Sequence, residues 1–167
     1  ALDVFKSDVV YTAEGDSPTG VRHAVELVDD DDRIDLGSGT GGSFDMNDEM
    51  TVAFWINAAA TPVNTPWDHL WNWRSGGATG WRIQRNGGSQ EILASFWTSG
   101  GTNQKVQLSQ TVLDGTWHHV AFSVDTGTVE MFVDGQPADS GTYVHGTGFG
   151  TTVPMYFSSY QTVNSEV

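Results

Sequence analysis

Cysteine is absent from all 167 residues, which excludes disulfides, thiolate metal sites and a cysteine nucleophile at once. Cations are scarce too: seven Lys and Arg stand against 21 Asp and Glu, a formal net charge of −14. Such a chain repels phosphate backbones and anionic lipid headgroups, so neither nucleic acid nor membrane insertion is expected. No apolar run approaches the roughly 20 residues that span a bilayer, and no basic-then-apolar leader is present. The start at Ala1 rather than Met fits a removed leader or a piece of a longer chain. Either origin suits an exported protein: extracellular, at the cell surface or on a virion.

What is present points to strands. Twenty glycines and seven tryptophans, with abundant Thr, Ser and Val, favour short strands and turns over helices. The length suits one domain, residues 1–167. Residues 9–28 read as strand, loop, strand around Pro18, and Ile34 and Leu36 alternate with polar neighbours after the acidic stretch 29–32. Val52, Phe54 and Ile56 share one face of a buried strand over 50–56. Pro62 and Pro66 mark a loop, because neither can donate to a sheet. Further strands are expected at 70–74, 80–85, 91–98 and 105–108, with Asn86-Gly87 as a hairpin signal. Val120, Phe122 and Val124 then alternate, as do Val129, Met131 and Val133, joined through Asp125-Thr126-Gly127 and closed by Asp134-Gly135. One more strand is expected over 153–160. Strands recurring about every ten residues describe a sandwich.

The string Gly115-Thr116-Trp117-His118-His119-Val120-Ala121-Phe122, followed by Val129-Glu130-Met131-Phe132-Val133-Asp134-Gly135, resembles the laminin G-like branch of the concanavalin A-like lectin/glucanase superfamily. Residues 32–37 and 50–57 are similar to that family's early strands, in the same order. The resemblance covers about residues 23–160 and implies an all-β, two-sheet antiparallel jelly-roll sandwich with rim loops open to ligand or calcium. Members usually close with a glycine, an acidic residue and an apolar strand, which is not recognisable here. The expectation is a domain lacking its final strand, through truncation or because a neighbouring chain supplies it.

Three groups of side chains invite chemistry. Asp29, Asp30, Asp32 and Asp35, with Asp16 as an additional ligand, form an acidic cluster of the kind that gives oxygen ligands to calcium, against the alternative of a solvated turn. Trp71, Trp73, Trp81 and Trp97, with Arg74 and Arg82, could stack and hydrogen-bond a carbohydrate, against the alternative that the indoles fill the core. Trp55 and Trp117 sit inside the family-like motifs and read as structural. His118 and His119 are adjacent on a strand, face opposite sides and so cannot ligate one metal between them; no role follows for them. Glu91 and Glu130 stand alone on their strands, without the alternating acidic pair of the sandwich glucanases, so no enzyme is expected. The reading is a non-catalytic recognition module for carbohydrate, steadied by calcium. Its alternative is a structural or adhesive domain contacting neighbouring protein subunits.

Overall fold

A computed structural model describes residues 3–4, 10–11, 25–26, 33–38, 49–58, 69–74, 80–87, 89–97, 103–142 and 154–158. Every regular element among them is a strand. One sheet has seven strands in the order β1 (Asp3–Val4), β4 (Arg33–Ser38), β13 (Pro154–Ser158), β6 (His69–Arg74), β7 (Gly80–Arg85), β8 (Glu91–Trp97) and β9 (Asn103–Thr111). The other has four, β12 (Gln136–Thr142), β11 (Thr128–Val133), β10 (His118–Asp125) and β5 (Glu49–Ile56). A short pair, β2 (Val10–Tyr11) with β3 (Val25–Glu26), stands apart. All the pairings are antiparallel.

The apolar alternation read from the sequence is the inward face of the four-stranded sheet. Met50, Val52 and Ile56 of β5, Val120, Phe122 and Val124 of β10, and Val129, Met131 and Val133 of β11 are all buried. They meet Trp81 and Ile83 of β7 and Ile92, Ala94 and Phe96 of β8 across the sandwich. Phe122 is the hinge of this contact, edge-on to Trp81 at 5.7 Å and to Phe96 at 6.4 Å between ring centroids. Edge-to-face rings add about 0.5–1.5 kcal/mol beyond their buried area.

β12 and β9 depart from expectation. β12 has no apolar period, since Gln136-Pro137-Ala138-Asp139-Ser140-Gly141-Thr142 lies at the sheet's edge and is largely exposed. β9 runs to nine residues. β13, expected from the sequence, takes an inner place between β4 and β6; the question of a further closing strand falls outside the described residues.

The turn joining β10 to β11 carries a local cost. Thr126 has φ 32° and Gly127 φ 95°, both positive as in a type I′ turn, and a β-branched residue is disfavoured there. Thr126→Asn should raise stability by up to about 1 kcal/mol, measured by urea denaturation. A loss of stability would show that the Thr126 side chain makes a compensating contact.

Candidate functional site

Polar groups converge at one end of the four-stranded sheet. In the turn before β10, the Asp114 carboxylate accepts from both the backbone N–H of Thr116 (2.9 Å) and its hydroxyl (2.7 Å), an Asx-type closure. Gly115, at φ 86°, lets the chain turn so that its N–H donates to the Ala58 carbonyl just beyond β5 (3.0 Å). In the turn after β11, Asp134 and Gly135 have φ 51° and 76°. Asp134 donates its N–H to the His119 carbonyl (2.8 Å) and accepts the His119 N–H on Oδ1 (2.9 Å).

His118 bridges the two turns. Its Nδ1 lies 2.9 Å from Asp134 Oδ2, and its Nε2 lies 3.0 Å from Thr116 Oγ1 and 3.3 Å from Asp114 Oδ1. The hydrogen bond to Asp134 holds the imidazole's pKa above its ordinary value; partial burial opposes this and Asp114 adds to it. Asp134 is in turn lowered by His118 and by the His119 N–H, and Asp114 is lowered by the hydroxyl and N–H of Thr116.

Thr116, His118 and Asp134 imitate the order of a nucleophile, base and orienting acid. Their hydrogen bonding opposes that use. A general base must receive the nucleophile's proton, whereas the Thr116 hydroxyl donates its proton to Asp114 (2.7 Å).

The bridge makes stability depend on pH with a definite sign. A raised histidine pKa gives stability that is complete below 6.5, its ordinary value, and is lost as pH climbs through the raised one. The lowered carboxylates give stability that is complete above 3.8 and is lost as pH falls through their lowered values. Thermal melts should therefore show a plateau between those bounds and a decline on the alkaline side that His118→Gln removes. An identical alkaline decline in that variant would assign it to another group.

His119, on the opposite side of β10, turns to the outer face of the sheet. There its ring meets Trp55 edge-on, with centroids 5.2 Å apart. Trp55, 41% accessible, is the large apolar side chain left exposed among the described residues. The structural role expected for Trp55 from its motif is thus not one of core filling. The sequence singled out both histidines but gave them no role, although counting back from the Asp125–Thr128 pair at the β10–β11 turn sets His119 opposite Asp134.

The residues expected to bind sugar divide between two faces. Trp81 is completely buried and is corrected here to a core residue: an indole packed against Phe122 has no face left for a ligand. Trp71 and Trp73 stand in register with Ile83 and Trp81, and directly opposed residues share a sheet face, so both positions fall on the core side. The outward side holds the row Arg74, Gly80, Trp97, Asn103 and, next to it, Asn72, Arg82, Ser95, Lys105. Gln84, Leu93 and Ser95 on that side are buried, while Arg82 is half-buried. Of the expected calcium ligands, Asp35 lies in β4, in register with Asp3 of β1. Asp16, Asp29, Asp30 and Asp32 lie outside the described residues. Among the described residues no group of three or more acidic or imidazole side chains is placed to hold a metal ion, and no helix is long and apolar enough to cross a membrane.

The profile of a laminin G family described as the concanavalin A-like lectin/glucanases superfamily matches residues 29–165. No curated protein sequence matches. Among solved structures, the binding domain of Paraclostridial Mosquitocidal Protein 1 is similar over 98% of this chain and 40% of its own, at TM-score 0.78 and 16% identity. The binding domain of botulinum neurotoxin serotype G is similar over 95% and 38%, at 0.72 and 13%. Domain 4 of the extracellular arabinanase AbnA from Geobacillus stearothermophilus, solved with arabinotriose, is similar over 93% and 69%, at 0.65 and 17%. The chain spans about two fifths of the toxin chains it matches, and at these identities the likeness is one of fold.

Proposed function

We propose, from the premise that this chain belongs to the concanavalin A-like lectin/glucanases superfamily, that it is a non-catalytic recognition module for carbohydrate, steadied by calcium, in an exported or surface protein. The observation that carries the reading is the outward row of the seven-stranded sheet. Trp97 there is flanked by Gly80, which has no side chain, and by Asn103, with Arg74 beyond the glycine. An aromatic position beside a glycine and a few polar positions is how sugar sites are generally built. The arabinotriose held by the AbnA domain supports the same ligand class. The Thr116 hydroxyl, which donates to Asp114 rather than to His118, supports a role without catalysis.

A glycan array probed in calcium should give selective signals that Trp97→Ala and Arg82→Ala weaken while their melting temperatures stay near wild type. A silent array would sink the carbohydrate reading. Calcium would draw on Asp29, Asp30, Asp32 and Asp35, with Asp16. Facing carboxylate positions at Asp3 and Asp35 repel one another unless neutralised, which suits a cation there. Calorimetric titration should detect calcium, and chelation should lower the melting temperature; neither effect would remain if the acidic loop is merely solvated.

A second reading, a structural or adhesive domain packed on protein neighbours, is favoured by β5, which pairs on one side only, with β10, among the described residues. Light scattering on the purified complex would then give a fixed stoichiometry.

A further inference from the structure

The outer face of the four-stranded sheet is divided along the strands. At one end, Trp55 is in register with His119, and Ala53 with Ala121. At the other, Thr51 is in register with Ser123, and Glu49 with Asp125. The Thr51 and Ser123 hydroxyls lie 3.2 Å apart and form an exposed hydrogen-bonded pair. The same face continues onto β11, where Phe132 lies beside Ala121 and Glu130 beside Ser123.

We infer that the Trp55–His119 end of this face is a second carbohydrate subsite, on the sheet opposite the one already proposed, and that it takes the ring of a neutral oligosaccharide. The inference rests on the carbohydrate reading above and adds a face to it.

The occupant follows from the chemistry. The indole is 41% exposed, and the small side chains of Ala53 and Ala121 leave its flank low, so a flat ring can lie against it. His119 uses its backbone N–H and carbonyl on Asp134 and its ring against Trp55. Among the described residues neither of its ring nitrogens is engaged in a hydrogen bond, which leaves them to meet a ligand hydroxyl. An exposed aromatic plane beside an adaptable polar group suits a sugar, whose ring has an apolar face and a polar rim. Glu49, Asp125 and Glu130 at the far end, within a chain of net charge −14, turn away uronates and sulfated glycans. The platform is also held in advance, because Asp134 fixes the His119 backbone while His118 fixes Asp134. A pre-ordered site loses less on binding.

The test is an NMR titration of the intact chain with arabinotriose, cellotriose and maltotriose. The Trp55 indole N–H resonance, identified by its disappearance in Trp55→Phe, should shift with at least one of them. Trp55→Ala should weaken that binding event at least about tenfold, a difference of about 1.4 kcal/mol, with Trp55→Phe between it and wild type. Melting temperatures of all variants confirm that the fold is kept. If other resonances shift while that of Trp55 stays fixed, the second subsite is wrong and the carbohydrate reading stands. If no trisaccharide shifts any resonance, both fall. A concentration-dependent dimer that Trp55→Ala dissolves would overturn the subsite in favour of a second copy of this chain.

Discussion

Trp81→Ala is expected to destabilise the protein by about 3–5 kcal/mol, the range for emptying a large aromatic site in a core. For a chain of this size that lowers the melting temperature by on the order of 10 °C. Trp81 is fully buried between the sheets and stands edge-on to Phe122, which also meets Phe96. Removing the indole therefore deprives both sheets of a common contact, and the sandwich cannot collapse inward without moving backbone that is pinned by its ladders. A double-mutant cycle with Phe122→Leu should return a coupling of about 0.5–1.5 kcal/mol, the ring-to-ring share of the total. The variant also separates the two roles open to this residue in the sequence. Unchanged stability with lost sugar binding would make Trp81 a ligand residue after all.

Asp134→Ala should have the next largest effect, a loss of about 2 kcal/mol. The carboxylate accepts a charge-assisted hydrogen bond from His118 and a backbone one from His119, together worth more than that in a dry site. Half-exposure of the Asp134 side chain reduces the gain through solvent competition. The backbone adds to the loss, since Asp134 sits at φ 51°, a conformation that Asp and Asn tolerate and Ala resists. Asp134→Asn isolates that second part. It should recover the turn while letting His118 titrate nearer its ordinary value, followed through the imidazole proton resonances. An unmoved His118 titration in Asp134→Asn would show that the bridge does not govern it.

Much of the sandwich was legible because strand alternation is local. Val120, Phe122 and Val124 announce an inward face by their spacing, and Asp125-Thr126-Gly127 announces the turn that pairs them with β11. β12 gave no such signal: an edge strand buries little and needs no apolar period. The tryptophans were ambiguous for a different reason. Alternation says that Trp71 and Trp73 share a face but not which face is covered, and that depends on β7, whose Trp81 and Ile83 are buried.

The sequence by itself determined the class of fold, the family and the inward faces of β5, β10 and β11, because a two-residue period and turn chemistry act within a few residues. Only the tertiary structure decided what the polar and aromatic groups do. Asp114, Thr116 and Asp134 come from two turns separated along the chain, and with His118 of β10 they form one bridge because the β10–β11 ladder brings the second turn beside the first. The same ladder and its partner β5 set Trp55 beside His119 on an outer face. Hydrogen bonding and burial are properties of distance between residues, and distance across a sheet is fixed by pairing rather than by any residue's own neighbours.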